Sequence, residues 1–344
     1  GILYNDIMLK NMNDGLMFHT CWNTPIEWAT AHTSGLLLKN LVEKDMAGLL
    51  PREFWRKVYN IGNGKDARVT GYETLDRGFR MMGRGADEIF QPEWNASRNF
   101  HCMWFADSHV LNGYLDFQHE GFEAFFVRLE RKLWYFKLGK PFPHLIKRFA
   151  IMRLLKTNNA PIFWVTHGLE KRIKAFFGSI EAYNRIPRRW KDFPLLCKNR
   201  NPETGAPLDY QALKDESSVA AKGLLLHHGY DETKPAAQLD ITDMQQAAAF
   251  RGGACVSASM EQGNLYTPLR WKCGNGHSFT ATPYLVLKTG HWCPECCATP
   301  PWNFDELSKS IPFYAQLWYD DHAETESNPC TQEDSRDILR YERR

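Results

Sequence analysis

Residues 271–296 read WKCGNGHSFTATPYLVLKTGHWCPEC, and this stretch decides how the C-terminal third of the chain folds. Cys273 and His277 form one short-spaced pair and Cys293 and Cys296 the other, in the pattern C-x3-H-x15-C-x2-C. Two such pairs, separated by about one hairpin, can close a tetrahedral site of nitrogen and sulfur donors, the set that zinc prefers. Gly274 and Gly276 suit a tight turn between the first two ligands, because glycine tolerates positive φ while backbone amides face a thiolate. Pro294 stiffens the second turn. Four protein ligands leave no open coordination position, so the expected Zn2+ is structural and not hydrolytic. A small unit with Trp271, Phe279, Tyr284 and Trp292 to bury is marginal by itself, and the ion is expected to supply much of its folding energy. The competing reading is a cluster of free thiols, with the neighbouring Cys297 as a rival ligand.

Upstream, AAAFRGGACVS (247–257) carries Gly252, Gly253 and Cys255 in a turn that feeds the same small domain. Together the two segments resemble a zinc-ribbon module over about residues 240–300, within a zinc-ribbon or treble-clef domain expected at 216–305. Residues 197–215 read as a linker, since NRNPETGAPLD (199–209) concentrates Asn, Pro and Gly. Residues 306–344 read as an acidic C-terminal tail, with Asp320, Asp321, Glu324, Glu326, Glu333 and Asp334 outnumbering the bases until Arg343 and Arg344.

The first 85 residues alternate strand-like runs with helical periodicity, which is α/β material. Residues 2–4 and 58–61 read as short strands ending in turn residues. Leu36, Leu37, Leu38, Leu41 and Val42 form an apolar face behind a cap at Ser34, and Tyr72, Leu75, Phe79 and Met82 form a second. The runs GILYND (1–6), NTPIEWATAHTSGLLLKNLVE (23–43) and VYNIGNG (58–64) resemble the C-terminal half of an extended short-chain dehydrogenase/reductase, the NAD-dependent epimerase/dehydratase family. The resemblance implies the substrate-side part of a Rossmann-type fold, with residues 86–196 as a helical, aromatic and basic extension of the substrate side. It implies NAD(P) as cofactor of the complete protein and a sugar nucleotide or similar hydroxyl compound as substrate, and it allows a homodimer. Tyr4 and Asn5 would approach the nicotinamide, and the 22–27 loop, with Asn23 and Thr24, would touch substrate. Two departures stand out: Thr33 occupies the place of the family's Asp, and no G-x-x-G-x-x-G turn of the kind that receives a pyrophosphate occurs in this chain. The chain opens on Gly1, so the cofactor half is expected upstream and this chain alone is expected to be inactive.

Three Tyr-x3-Lys pairs, Tyr210/Lys214, Tyr230/Lys234 and Tyr284/Lys288, match the family's acid/base spacing, but all follow the GILY run that the family's pair precedes. Coincidence accounts for them, and no catalytic residue is assigned. His101, Cys102, Asp107 and His109 crowd together, yet Cys102 sits among Phe100, Met103, Trp104 and Phe105, where a cysteine is a small buried hydrophobe. In the aromatic and basic region, Phe125, Phe126, Leu129 and Leu133 form one helical stripe and Leu145, Ile146, Phe149, Met152 and Leu155 another. Packed amphipathic helices with solvated basic faces are the plain reading, and a membrane-surface or nucleic-acid-binding face is the sharper one.

Composition bounds the rest. At 344 residues, 43% hydrophobic and 24% charged, the chain has the apolar mass of about two domains, which excludes disorder as its main state. No window reaches the roughly 18 apolar residues of a membrane span. A net charge of +2 gives no global case for nucleic acid, so the alternative function, a zinc-ribbon module binding nucleic acid or protein, rests on the local basic segment. Nine cysteines, four of them crowded between 273 and 297, favour a metal site over a disulfide framework and a reducing, cytoplasmic setting.

Overall fold

Two capping boxes frame the N-terminal part of the chain. Thr30 ends one strand and opens the helix Ala31–Met46: its Oγ1 accepts from Thr33 N at 3.2 Å, and Thr33 Oγ1 accepts from Thr30 N at 3.1 Å. Thr70 does the same for the helix Gly71–Arg80, where Glu73 returns the bond to Thr70 N at 2.7 Å. Such a cap contributes about 1 kcal/mol and fixes where the helix begins. The first helix therefore has its cap four residues ahead of Ser34. Only part of its expected face is covered, with Leu37 buried and Leu38 and Val42 exposed.

The computed structural model describes residues 2–3, 14–55, 57–98, 102–215, 226–319 and 322–333. The chain divides into two compact units, Gly1–Gly223 and Leu224–Arg344, and both mix helices with small sheets. In the first unit β1 (Ile2–Leu3) pairs in parallel with β3 (Ala29–Thr30), and β2 (Pro25–Glu27) pairs antiparallel with β4 (Arg68–Thr70), Glu27 opposite Arg68. Among the described residues, no sheet of this unit exceeds two strands. The expected strand at 58–61 joins no ladder there, because Tyr59 turns inward to stack on Phe54 at 5.5 Å and donates its hydroxyl to Phe54 O.

Aromatic side chains fill the core of this unit. Phe18, Trp22, Tyr72, Phe79 and Phe90 form one cluster, and Ile26, Val69, Phe125, Phe126 and Leu129 another. The stripe on the helix Phe122–Lys132 is buried as its periodicity requires. The next one is not. Residues Ile146–Ile151 form a π segment, whose wider turn carries Ile151 and Leu154 into the core and leaves Leu145, Phe149 and Met152 outside.

Residues 197–215 are part of this unit rather than a linker. Arg200 bridges Pro207, and the helix Tyr210–Lys214 is pinned by Tyr210, whose buried hydroxyl donates to Glu73 Oε2 at 2.5 Å. The 22–27 loop is likewise interior: Trp22 donates its indole N–H to Pro92 O, and Thr24, Ile26 and Glu27 are buried.

In the second unit, the helix Ile241–Phe250 packs against a three-stranded antiparallel meander, β5 (Ala254–Cys255), β6 (Leu269–Lys272) and β7 (Ser278–Ala281). Met244, Ala247, Ala248, Val286, Leu287, Trp271 and Trp292 share its core, while Phe279 and Tyr284 lie at the margin. This core is larger than the four aromatic residues promise. Arg251 is buried within the unit, donating to His228 O, Ala247 O and Val286 O, and burial lowers its guanidinium to about 10. Its guanidinium lies 4.3 Å over the Phe313 ring, on the helix Pro312–Trp318, which packs on the helix Phe304–Ser310. Residues 306–318, expected as the start of a tail, are therefore folded. Among the described residues, no helix is long and apolar enough to cross a membrane.

Candidate metal centre

The β6–β7 hairpin presents the first ligand pair. Its last ladder pair is Lys272 with Ser278, and the chain between them closes through Cys273 N to His277 O at 3.0 Å and Gly276 N to Cys273 O at 2.9 Å. Gly276 has φ +87°, a conformation that a side chain would strain. The second pair opens a helix. Cys293 is the N-cap of Pro294–Ala298, Pro294 occupies its first turn, and Cys296 follows within that turn. The GG turn ahead of β5 serves the same construction, since a Cβ on Gly253 would lie 2.3 Å from Lys272 O and 2.7 Å from the Trp292 ring.

These elements bring the four expected ligands together. One donor atom from each of Cys273, His277, Cys293 and Cys296 lies within 4.8 Å of all the others. Cys273 Sγ is 3.7 Å from Cys296 Sγ, and His277 Nδ1 is 3.3 Å from Cys296 Sγ and 3.7 Å from Cys293 Sγ. A tetrahedral ion with bonds of about 2.3 Å to sulfur and 2.0 Å to nitrogen needs edges of about 3.8 Å and 3.5 Å. The arrangement fits a small cation. Cys297 is exposed and Cys255 belongs to β5, and both stand outside the set.

The electrostatics also suit a cation. Burial opposes ionisation of Cys273, but backbone N–H groups of His277 and Asn275 outweigh it and hold its thiol below the usual value. Burial, then the Cys293 and Cys273 sulfurs, push the Cys296 thiol up to about 12. Three sulfurs this close cannot all be thiolates unless a positive ion sits among them. Two supporting groups were not legible in the ligand spacing: Asn275 Nδ2 donates to Cys296 Sγ at 3.4 Å, and His277 Nε2 faces Glu295 Oε2 across 3.9 Å. The second distance is too long for a direct hydrogen bond but orients charge toward the imidazole.

The other expected positions are not assembled into a site. Tyr4, Asn5 and His101 lie outside the described residues. Asn23 bridges its own unit, donating to Pro194 O at 2.9 Å and accepting from Leu196 N at 2.8 Å. Thr24 is buried and accepts Gly71 N at its carbonyl. Burial raises the Cys102 thiol, the opposite of an activated nucleophile. Tyr210 is driven far above the usual phenol range by burial and by Glu73, Lys234 pairs with Asp243, and Lys288 bonds Tyr230 rather than Tyr284. A catalytic Tyr-x3-Lys needs a phenol lowered by its lysine; Tyr210 is shifted the other way, and Lys234 and Lys288 engage partners outside their own pairs. No family model, curated protein or solved structure matches the chain.

Proposed function

We propose that Cys273, His277, Cys293 and Cys296 hold one structural Zn2+, with a treble-clef arrangement in which a hairpin turn and the first turn of a helix each donate two ligands. The observation that carries this is the four-atom cluster, all within 4.8 Å, in which the Cys273–Cys296, His277–Cys296 and His277–Cys293 separations of 3.7, 3.3 and 3.7 Å lie near tetrahedral edges. With all four positions taken by protein, the ion's role is to fold the second unit. Elemental analysis of the purified chain is expected to give a single zinc. Cys296→Ser should weaken retention by more than the roughly 10–100-fold typical of outer-shell changes, whereas Cys297→Ser should leave it intact. Equal zinc in both variants would reassign the ligands.

The first unit is read as the substrate-side part of an NAD(P)-dependent epimerase/dehydratase-like oxidoreductase acting on a sugar nucleotide or similar hydroxyl compound. What supports this reading is the resemblance of 1–6, 23–43 and 58–64 to that family, beside a short parallel β1–β3 pair whose second strand runs into the helix Ala31–Met46. The gene tests it. A G-x-x-G-x-x-G turn and a Tyr-x3-Lys pair encoded ahead of GILY are expected; a reading frame that lacks both overturns the enzyme reading and leaves a zinc-bearing binding module.

A further inference from the structure

From 131 to 156 the sequence holds eight Lys or Arg residues and no Asp or Glu. The whole chain carries only +2, so the remainder is net negative and the positive charge is segregated here. Large apolar side chains stand out among these bases: Trp134 is 64% exposed, Leu138 67%, Phe142 52% and Phe149 65%. They lie on neighbouring segments. The 3-10 helix Trp134–Gly139 and the π segment Ile146–Ile151 both reach one core cluster, through Phe136 and through Ile146 and Ile151, and Gly139 sits against the Ile146 side chain. Of the residues not directed at that core, Trp134, Leu138, Leu145, Phe149 and Met152 are exposed to solvent. Leu145, Phe149 and Arg153 line a groove of about 620 Å³ there.

The π segment adds Leu145, Phe149 and Met152 to the exposed apolar side chains of Trp134, Leu138 and Phe142. A regular α-helix with the same sequence would turn Leu145, Phe149 and Met152 inward together, but the wider turn buries Ile151 and Leu154 in their place. A soluble face has no use for this exposure. We propose that the 134–156 face docks on an anionic phospholipid surface, its bases engaging headgroups while Trp134, Leu138 and Phe149 enter the acyl boundary. Each Lys or Arg near such a surface is attracted to it and apolar insertion adds to that attraction, the combination that peripheral attachment needs. Charge alone would serve a nucleic acid equally. The aliphatic and aromatic tips decide for lipid, because Leu138, Leu145 and Met152 gain nothing from phosphates or base edges, and nucleic-acid interfaces are strongly polar.

The test is co-sedimentation of the full chain with vesicles of phosphatidylcholine alone and with about 30% phosphatidylserine. Binding to the mixed vesicles should be at least about tenfold tighter, should fall with added salt, and should allow brominated acyl chains to quench tryptophan emission. Phe149→Glu combined with Leu138→Glu should remove the quenching and most of the binding while melting and zinc content stay unchanged. Should that pair disturb folding, Lys147→Gln with Arg148→Gln keeps the test open, and weaker binding to the mixed vesicles is again expected. No binding to anionic vesicles, equal binding to both compositions, or displacement from vesicles by single-stranded RNA with quenching absent would overturn the proposal.

Discussion

A chelator strong enough to strip zinc is expected to unfold the second unit and leave the first standing. The proposed ligands would tie two ends of one segment: Cys273 and His277 close the β6–β7 turn, Cys293 and Cys296 open the Pro294–Ala298 helix, and the Pro283–Lys288 helix lies between them with Val286 and Leu287 in the core. Releasing the ion frees both ends of that segment and brings three sulfurs together uncompensated. A structural zinc supplies roughly 10–16 kcal/mol of apparent binding free energy, against a total domain stability of about 5–15 kcal/mol. Even with Trp271, Met244 and Leu287 buried, the metal-free unit then falls near or below the folding threshold. Trp271 and Trp292 report the change, since both are buried in that core and meet edge to face at 6.0 Å. Calorimetry should show one transition lost on chelation and one kept, and limited proteolysis should cut beyond residue 224. Two transitions that ignore the chelator would reduce the metal to an accessory of an already stable core.

The Cys3His cluster was legible because its information is local: each pair lies within five residues, with Gly in the first turn and Pro in the second, as such geometry needs. Capping was half legible, since Thr70 and Glu73 spell a box in sequence while Thr30 and Thr33 hide one behind a plausible Ser34. What escaped depends on distant partners. The stripe at Leu145, Phe149 and Met152 is right for a period of 3.6 and wrong for a π turn. The Asn, Pro and Gly of 199–209 do make turns, but Tyr210 and Lys214 then meet Glu73 and Arg68, more than a hundred residues away, and hold the segment in the first unit. Gly62, read as part of a strand end, stands where a Cβ would lie 2.1 Å from the Glu27 carboxylate. No periodicity could announce that contact.

That carboxylate belongs to the pair whose removal should cost the first unit most. Glu27 and Arg68 face each other across β2 and β4, fully buried, with Arg68 Nε donating to Glu27 Oε2 at 3.0 Å. Glu27 also accepts from Gly64 N and Phe105 N, both at 3.0 Å, while Arg68 donates to Lys214 O at 2.8 Å and Phe105 O at 2.6 Å. Glu27→Ala or Arg68→Ala strands a buried charge, and each is expected to destabilise by about 3–5 kcal/mol, seen as a lower urea midpoint for the first unit's transition. Replacing both by apolar residues often restores stability at an isolated buried pair. Here it should not, because Glu27→Leu with Arg68→Met leaves the Gly64 and Phe105 amides and the Lys214 and Phe105 carbonyls without these partners, at about 1–3 kcal/mol for each group that finds no other. Recovery of wild-type stability by the double variant would mean that the pair is only a pair. Persistent loss would identify it as the fastener joining the two strands to the 62–64 turn, Phe105 and the end of the Tyr210–Lys214 helix.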